Sequence, residues 1–291
     1  MLTATEKFTG KANLYDDYRP PYPARIIEAI SESLPRDARI VEIGAGTGKL
    51  AFPLIDRGYD ITCVEPNKDM REVLICKGRQ NPDLNLRVIN GRAHITNCPN
   101  RSADVILLGN VCHWLDRYNS ELDIHRREFS RILAPGGRVV AVSSLLSVGN
   151  TWLRPLLSAK KNLDGTFDVD QFFAPLRDPL KHSSHFIDTS PESIALANKQ
   201  VGALLMRTDR SVVSMGLEHF SGLLAAMSFY DKRLASLVRD IYAHHANEVG
   251  NVDVEFYSTF LSGSLKMPAR EQEAQKTGRK RLHDARQKAR V

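Results

Sequence analysis

Arg39-Ile40-Val41-Glu42-Ile43-Gly44-Ala45-Gly46-Thr47-Gly48 is the stretch that decides the fold. An apolar run short enough for a buried strand ends in three glycines at alternate positions, and helix-compatible sequence from Leu50 to Asp56 follows at once. Glycine lets a backbone turn sharply and approach a ligand without a Cβ in the way. A strand, a glycine turn and a helix in that order make the opening unit of a doubly wound α/β sheet. A dinucleotide fingerprint requires G-x-G-x-x-G, and counting from Gly44 puts Lys49 where its third glycine belongs. The spacing here is G-x-G-x-G.

The same alternation runs outward from this stretch. Tyr59 to Val64 reads as a second strand ending in Glu65 and Pro66, with a helix around Asp69 to Gly78. Leu86 to Ile89 and Ala103 to Leu108 read as the third and fourth strands, and Val105 to Leu108 is apolar enough to be covered on both faces. Ser120 to Leu133 reads as a helix broken by Pro135-Gly136-Gly137, and Arg138 to Ser143 as a fifth strand. Strands alternating with helices predict a parallel sheet. An acid at the end of the second strand is placed to accept two ribose hydroxyls.

With these residues in place, the chain resembles the class I S-adenosylmethionine-dependent methyltransferases. Within them it resembles the small-molecule group related to ubiquinone-biosynthesis and trans-aconitate methyltransferases. The resemblance covers residues 8 to 145 and, more loosely, the C-terminal strands. It implies a seven-stranded, mostly parallel, Rossmann-like sheet with a helical cap. Val41 to Gly48, including Glu42, Gly44, Ala45, Gly46, Thr47 and Gly48, matches the group's first motif, which contacts the methionine part of S-adenosylmethionine. Val64-Glu65-Pro66-Asn67-Lys68-Asp69-Met70 matches the second, implying Glu65 on the ribose and Met70 against the adenine. Gly91-Arg92-Ala93 falls where the group contacts the adenine edge, although His94 stands where an acid is usual. The N-terminal segment Tyr15 to Pro23 resembles one that folds over the cofactor. That resemblance makes Tyr15 and Arg19 cofactor contacts, Arg19 pairing with a carboxylate, or else pins for the N-terminal helix.

The loop after the fourth strand, Gly109-Asn110-Val111-Cys112-His113-Trp114, is expected to meet both reactants. Asn110 and Val111 are assigned to the cofactor side, and His113 and Trp114 to the acceptor. His113 serves as general base where the acceptor must lose a proton, or else orients the acceptor. Tyr22, Phe173, His185, Phe229 and Tyr230 are the further acceptor-side candidates. The His113-Trp114 pair resembles that of carboxylate methylating enzymes, which favours oxygen slightly over carbon or nitrogen. His182 and His185 sit three apart, but no further ligand completes a metal site, so no metal is expected.

Domain organisation follows from these patterns. Residues 1–36 form an N-terminal cap segment and 37–144 the cofactor-binding core. Residues 145–215 are expected as an insertion over the acceptor, and 216–265 as C-terminal helices and antiparallel edge strands. Residues 266–291 form a basic tail, expected to be disordered. Lys266 to Val291 holds nine of the 40 Lys and Arg and three of the 34 Asp and Glu, so the net charge of +6 belongs to the tail and the body balances. A body without a basic, aromatic-interleaved face disfavours nucleic acid as a partner. A macromolecule methyltransferase using the tail, or a cofactor-binding protein without transfer activity, are the rival readings. No apolar run approaches the roughly 20 residues of a membrane span. The start of the chain lacks the pattern of a secretory signal, and the four cysteines lack metal spacing, so a reducing, cytoplasmic setting is expected.

Overall fold

The computed structural model describes residues 6–80, 84–115, 122–165, 167–170, 172–173, 182–190 and 205–266. Seven strands form one sheet: β1 (Arg39–Ile43), β2 (Asp60–Val64), β3 (Leu86–Ile89), β4 (Ala103–Gly109), β5 (Leu133–Leu146), β6 (Leu205–Met215) and β7 (Val252–Gly263). Their order is β3-β2-β1-β4-β5-β7-β6. The first five run parallel, with Val41 flanked by Thr62 and Ile106, whereas β7 runs antiparallel between β5 and β6.

Nine helices accompany the sheet among the described residues. They are α1 (Ala12–Tyr18), α2 (Ala24–Ser33), α3 (Ala51–Ile55), α4 (Lys68–Arg79), α5 (Cys112–Leu115), α6 (Leu122–Ile132), α7 (Leu153–Leu163), α8 (Leu217–Ala226) and α9 (Ala235–His245). Alternate residues along each strand serve opposite faces of the sheet. Ile40, Ile61, Val105, Leu107 and Val140 pack with Ile26 and Ile30 of α2 on one face. Val41, Ile43, Ile106, Leu108 and Val139 pack with Phe129 of α6 and with Phe186 on the other. The four central β4 side chains are therefore all buried, each contributing about 1.5–3 kcal/mol relative to exposure. A third cluster, with Trp152, Phe173, Phe220, Phe229 and Phe256, holds α7, α8 and α9 against the far end of the sheet.

Three expectations are corrected here. Residues 145–215 are not wholly an insertion: Leu205–Met215 is the edge strand of the sheet, paired along its length with β7. The C-terminal strand is not an edge, because β7 is bonded on both sides. It alternates with solvent only as far as Tyr257, and from Ser258 to Gly263 it is buried throughout, as an interior strand must be. The Pro135-Gly136-Gly137 turn lies inside β5 as a bulge: Ala103 pairs with Leu133, and the next registered pair is Val105 with Arg138. Within the N-terminal segment, α2 is part of the core, and it is residues 6 to 18 that reach over the carboxyl end of the sheet. The basic tail beyond Lys266 lies outside the described residues.

Candidate active site

The glycine turn connects β1 to α3 at the carboxyl end of the parallel strands, where open α/β sheets bind ligands. Gly44 has φ +70°, and a Cβ there would stand 2.9 Å from Val111 Cγ2, so only glycine lets the loop after β4 close against this turn. Glu65 joins the turn to β2. Its Oε2 accepts the Gly46 N–H at 2.8 Å and its Oε1 accepts the Asn67 N–H at 2.8 Å. A carboxylate offers about four acceptor sites, so each oxygen keeps capacity for a further donor such as a ribose hydroxyl. Burial raises the Glu65 carboxyl above its usual range, and these two N–H groups and Arg71 pull it back down.

Glu42, the fourth residue of β1, is buried, and burial together with the nearby Glu65 pushes its carboxyl up to about 8. At pH 7 this acid is therefore mostly neutral, and a cation beside it would favour its ionised form. The Thr47 hydroxyl is fully buried and has no hydrogen-bond partner among the described residues. Met70 is buried at the start of α4, where the Asn67 side chain caps the helix by accepting the Met70 N–H at 3.0 Å. A glycine cradle, an acid with spare acceptor capacity, a second acid suited to an ammonium group and an unused hydroxyl fit S-adenosylmethionine.

The N-terminal residues span this cradle and the far side of the cleft. Gly10 N–H donates to Asp69 at 2.6 Å, and Lys77 of α4 pairs with Asp16 at 2.8 Å. In the other direction Lys11 donates to the Met227 carbonyl at 2.8 Å, and Tyr18 donates to Glu218 at 3.2 Å. Tyr15 is half-buried; burial raises its phenol, Arg19 lowers it, and Glu42 and Glu65 raise it further. The hydroxyl of Tyr22 reaches the same interior, 3.0 Å from where a Gly109 Cβ would stand, which is itself 3.5 Å from Glu42 Oε1.

Across the cleft, Asn110 takes φ +52° at the end of β4, and α5 then presents His113 and Trp114. Phe8 meets Trp114 edge-on at 5.9 Å, with Lys7 over the same indole at 5.3 Å. His113 contacts Trp114 at 5.1 Å and, from the other side, His182 at 6.3 Å between ring centroids. A strap from 182 to 188 brings His182 there. Arg126 donates to the His185 carbonyl at 2.6 and 2.9 Å, Phe186 is buried against Phe129, and Asp188 N–H donates to Ser264.

Comparison with known proteins agrees with this geometry. A family model described as a methyltransferase domain matches residues 41–141. Uncharacterised methyltransferases of Mycobacterium tuberculosis and Mycobacterium bovis are each 33% identical over 150 residues, covering 51% of this chain and 56% of theirs. Residues 41–141 are thus similar to a methyltransferase domain.

The chain spans little more than half the length of those mycobacterial relatives. An uncharacterised methyltransferase of Exiguobacterium sibiricum is 42% identical over 78 residues, 24% of this chain and 37% of its own. Among solved structures, one described as a type II methyltransferase from Anaeromyxobacter dehalogenans has a TM-score of 0.53 at 17% identity, covering 85% of this chain and 98% of that one. At that identity the likeness is one of fold, and it extends well beyond the matched domain.

Several residues assigned from sequence to the site have partners within the chain. Arg19 donates to the Ser144 carbonyl at 2.7 Å and approaches Met227 Sδ at 3.2 Å, the arrangement of a pin. Asn110 Oδ1 accepts the Ser144 N–H at 2.7 Å, which fixes the loop rather than a ligand. Phe173 and Phe229, assigned from sequence to the acceptor side, are both buried in the third core cluster, Phe229 against Phe172 at 4.9 Å. Tyr230, half-buried, packs at the margin of that cluster. His185 contributes its carbonyl to Arg126. Arg92 is exposed and bridges by its backbone to Ile95, Pro66 lies between Glu65 and the cap of α4, and Ala93 is buried. His182, read from the sequence as half of an incomplete metal pair with His185, stands near His113. Among the described residues no cluster of three or more His, Cys, Asp or Glu is placed to hold a metal, and no helix is long and apolar enough to cross a membrane.

Proposed function

We propose that this chain transfers the methyl group of S-adenosylmethionine to a small organic acceptor, with oxygen the favoured target. The observation that carries the small-molecule reading is the roof: Phe8 and Lys7 close on Trp114 directly beside the His113–His182 pair. A reaction space walled by two imidazoles and an indole, and covered by the N-terminal segment, suits a metabolite rather than a polymer chain.

In this reading Glu65 receives the ribose hydroxyls, Glu42 faces the amino group, Thr47 and the glycine turn receive the methionine end, and Met70 lies against the adenine. When bound, S-adenosylmethionine supplies an electrophilic methyl on a cationic sulfur. The protein's part is then alignment, which in a bimolecular displacement is a large share of the barrier. Trp114 supplies a flat apolar wall and a positive-edged ring. His113 and His182 hold the accepting oxygen by hydrogen bonds. A carboxylate acceptor has no proton to lose, so His113 acts on it as a positioning group; a phenol or alcohol would use it as base.

The test begins with calorimetric titration of the purified chain with S-adenosylhomocysteine, with NAD as control. Micromolar binding of the first only, on the order of −8 kcal/mol, is expected. Transfer of radiolabelled methyl to a panel of carboxylic acids, phenols and amines follows, using the chain with and without residues 267–291. Activity confined to RNA or protein and lost with the tail would overturn the reading, as would NAD binding.

A further inference from the structure

The strand β6 forms one end of the sheet. Among the described residues this strand, eleven residues long, bonds only to β7. Natural edge strands are usually protected by lysine, proline, bulges or shortness. Leu205-Met206-Arg207-Thr208-Asp209-Arg210-Ser211-Val212-Val213-Ser214-Met215 has no lysine or proline, and its register with β7 is unbroken. Two of its apolar side chains, Met206 and Val212, are 53% and 59% exposed on the same face.

The geometry points to a second copy of this chain as the occupant of that edge, paired antiparallel about a two-fold axis at Thr208. The axis of such a pair stands perpendicular to the sheet, so opposed residues must share a face and the centre must fall on a residue. Charge then selects among the centres. An axis at Arg207, Asp209 or Arg210 sets that residue against its own copy, and like charges directly opposite are destabilising. An axis at Ser211 or beyond sets Arg210 and Asp209 against uncharged residues. An axis at Thr208 sets Arg207 against Asp209 of the second copy, twice by symmetry, and Thr208 against Thr208 at the centre. Thr–Thr and opposite-charge pairs are both favourable across strands. The paired segment then runs from Leu205 to Ser211 on each copy, and the two sheets become one continuous sheet. Arg207 is exposed and Asp209 half-exposed on the same face.

Light scattering behind size-exclusion chromatography on the full chain, from micromolar to submillimolar concentration, tests this. Twice the monomer mass is expected for the wild type. R207D and D209R should each set like charges opposite and return the monomer mass, and the double swap R207D/D209R should restore the dimer. Unchanged circular dichroism and Tm in the single variants show that the fold is not the cause. Directly opposed antiparallel residues lie about 4.5–5.5 Å apart at Cα, within disulfide reach. In a Cys76→Ser background, which removes the exposed native thiol, T208C should therefore cross-link under mild oxidation and S214C should not. A wild type that stays monomeric throughout overturns the proposal. So does a dimer indifferent to both single swaps and not cross-linked through T208C.

Discussion

Phe8 stands edge-on to Trp114, ring centroids 5.9 Å apart at 81°, and this contact ties the N-terminal segment to the loop that follows β4. One end of that segment is thereby fastened to the acceptor wall, while Asp16 is fastened to Lys77 on the cofactor side. The segment is a cover that both halves of the cleft hold. Phe8→Ala removes one fastening, and edge-to-face pairs contribute about 0.5–1.5 kcal/mol beyond their burial. Backbone amides from Gly10 to Tyr18 should exchange several-fold faster in the variant, read by hydrogen–deuterium exchange with mass spectrometry. Saturating S-adenosylhomocysteine should restore much of the protection, because the cofactor supplies a second reason to stay closed. Unchanged exchange would mean that α1 is held by its α4 and α8 contacts without Phe8.

The Glu65 carboxylate does two jobs, and substitution separates them. Glu65→Ala leaves the Gly46 and Asn67 N–H groups without their acceptor, which costs about 1–3 kcal/mol per buried group. It also removes the acceptor for two ribose hydroxyls, so affinity for S-adenosylhomocysteine should fall on the order of 100-fold. Glu65→Gln keeps one oxygen acceptor and should recover stability more than affinity. Calorimetry paired with urea unfolding checks both. Equal affinity in the wild type and Glu65→Ala would remove Glu65 from the ribose site.

Much of this half of the site was legible because it is local in sequence. Gly44, Gly46 and Glu65 lie within 22 residues, just after two strands whose pairing the apolar pattern predicts. The acceptor half was not legible, because its parts meet only in three dimensions. His182 reaches His113 through a strap whose anchor is a hydrogen bond between Arg126 and the His185 carbonyl, 59 positions apart, and no periodicity announces such a bond. The burial of Phe229 was not legible for a complementary reason: an aromatic cluster reads alike whether it walls a pocket or fills a core. β6 was missed because its arginines, aspartate and serines lack the apolar pattern of a strand buried on even one face.

Glu42 sets a pH dependence. Its folded value, about 8, lies above the ordinary value of 4.5, so between those limits the folded chain binds more protons than the unfolded one. Stability contributed by this residue is therefore intact below pH 4.5 and declines as pH rises toward 8. Cofactor affinity runs the other way, because the ammonium group of the ligand favours the carboxylate. Affinity for S-adenosylhomocysteine should rise between pH 6 and 8, by up to about tenfold per pH unit, with proton release on binding. Titrations in two buffers of different ionisation enthalpy measure that release. Glu42→Gln should raise Tm at pH 8 relative to wild type, flatten the pH dependence of binding and weaken binding at pH 8.

Gly222 offers a prediction whose sign depends on a neighbour. It sits in α8 directly beneath the Tyr18 ring, and a Cβ there would fall inside the van der Waals envelope of that ring. Two effects compete in Gly222→Ala. Helix propensity favours alanine by about 1 kcal/mol, whereas overpacking costs typically 1–3 kcal/mol. With backbone on one side and an aromatic ring on the other, overpacking wins, so the variant should be less stable and α1 should lift from α8. In a Tyr18→Ala background the obstruction is gone, and Gly222→Ala should then stabilise by the propensity difference alone. A urea-denaturation cycle over the four chains measures the change of sign. If Gly222→Ala stabilises in both backgrounds, α1 does not rest on α8 through this contact, and the cover over the cleft is held from the Asp69 and Lys77 side.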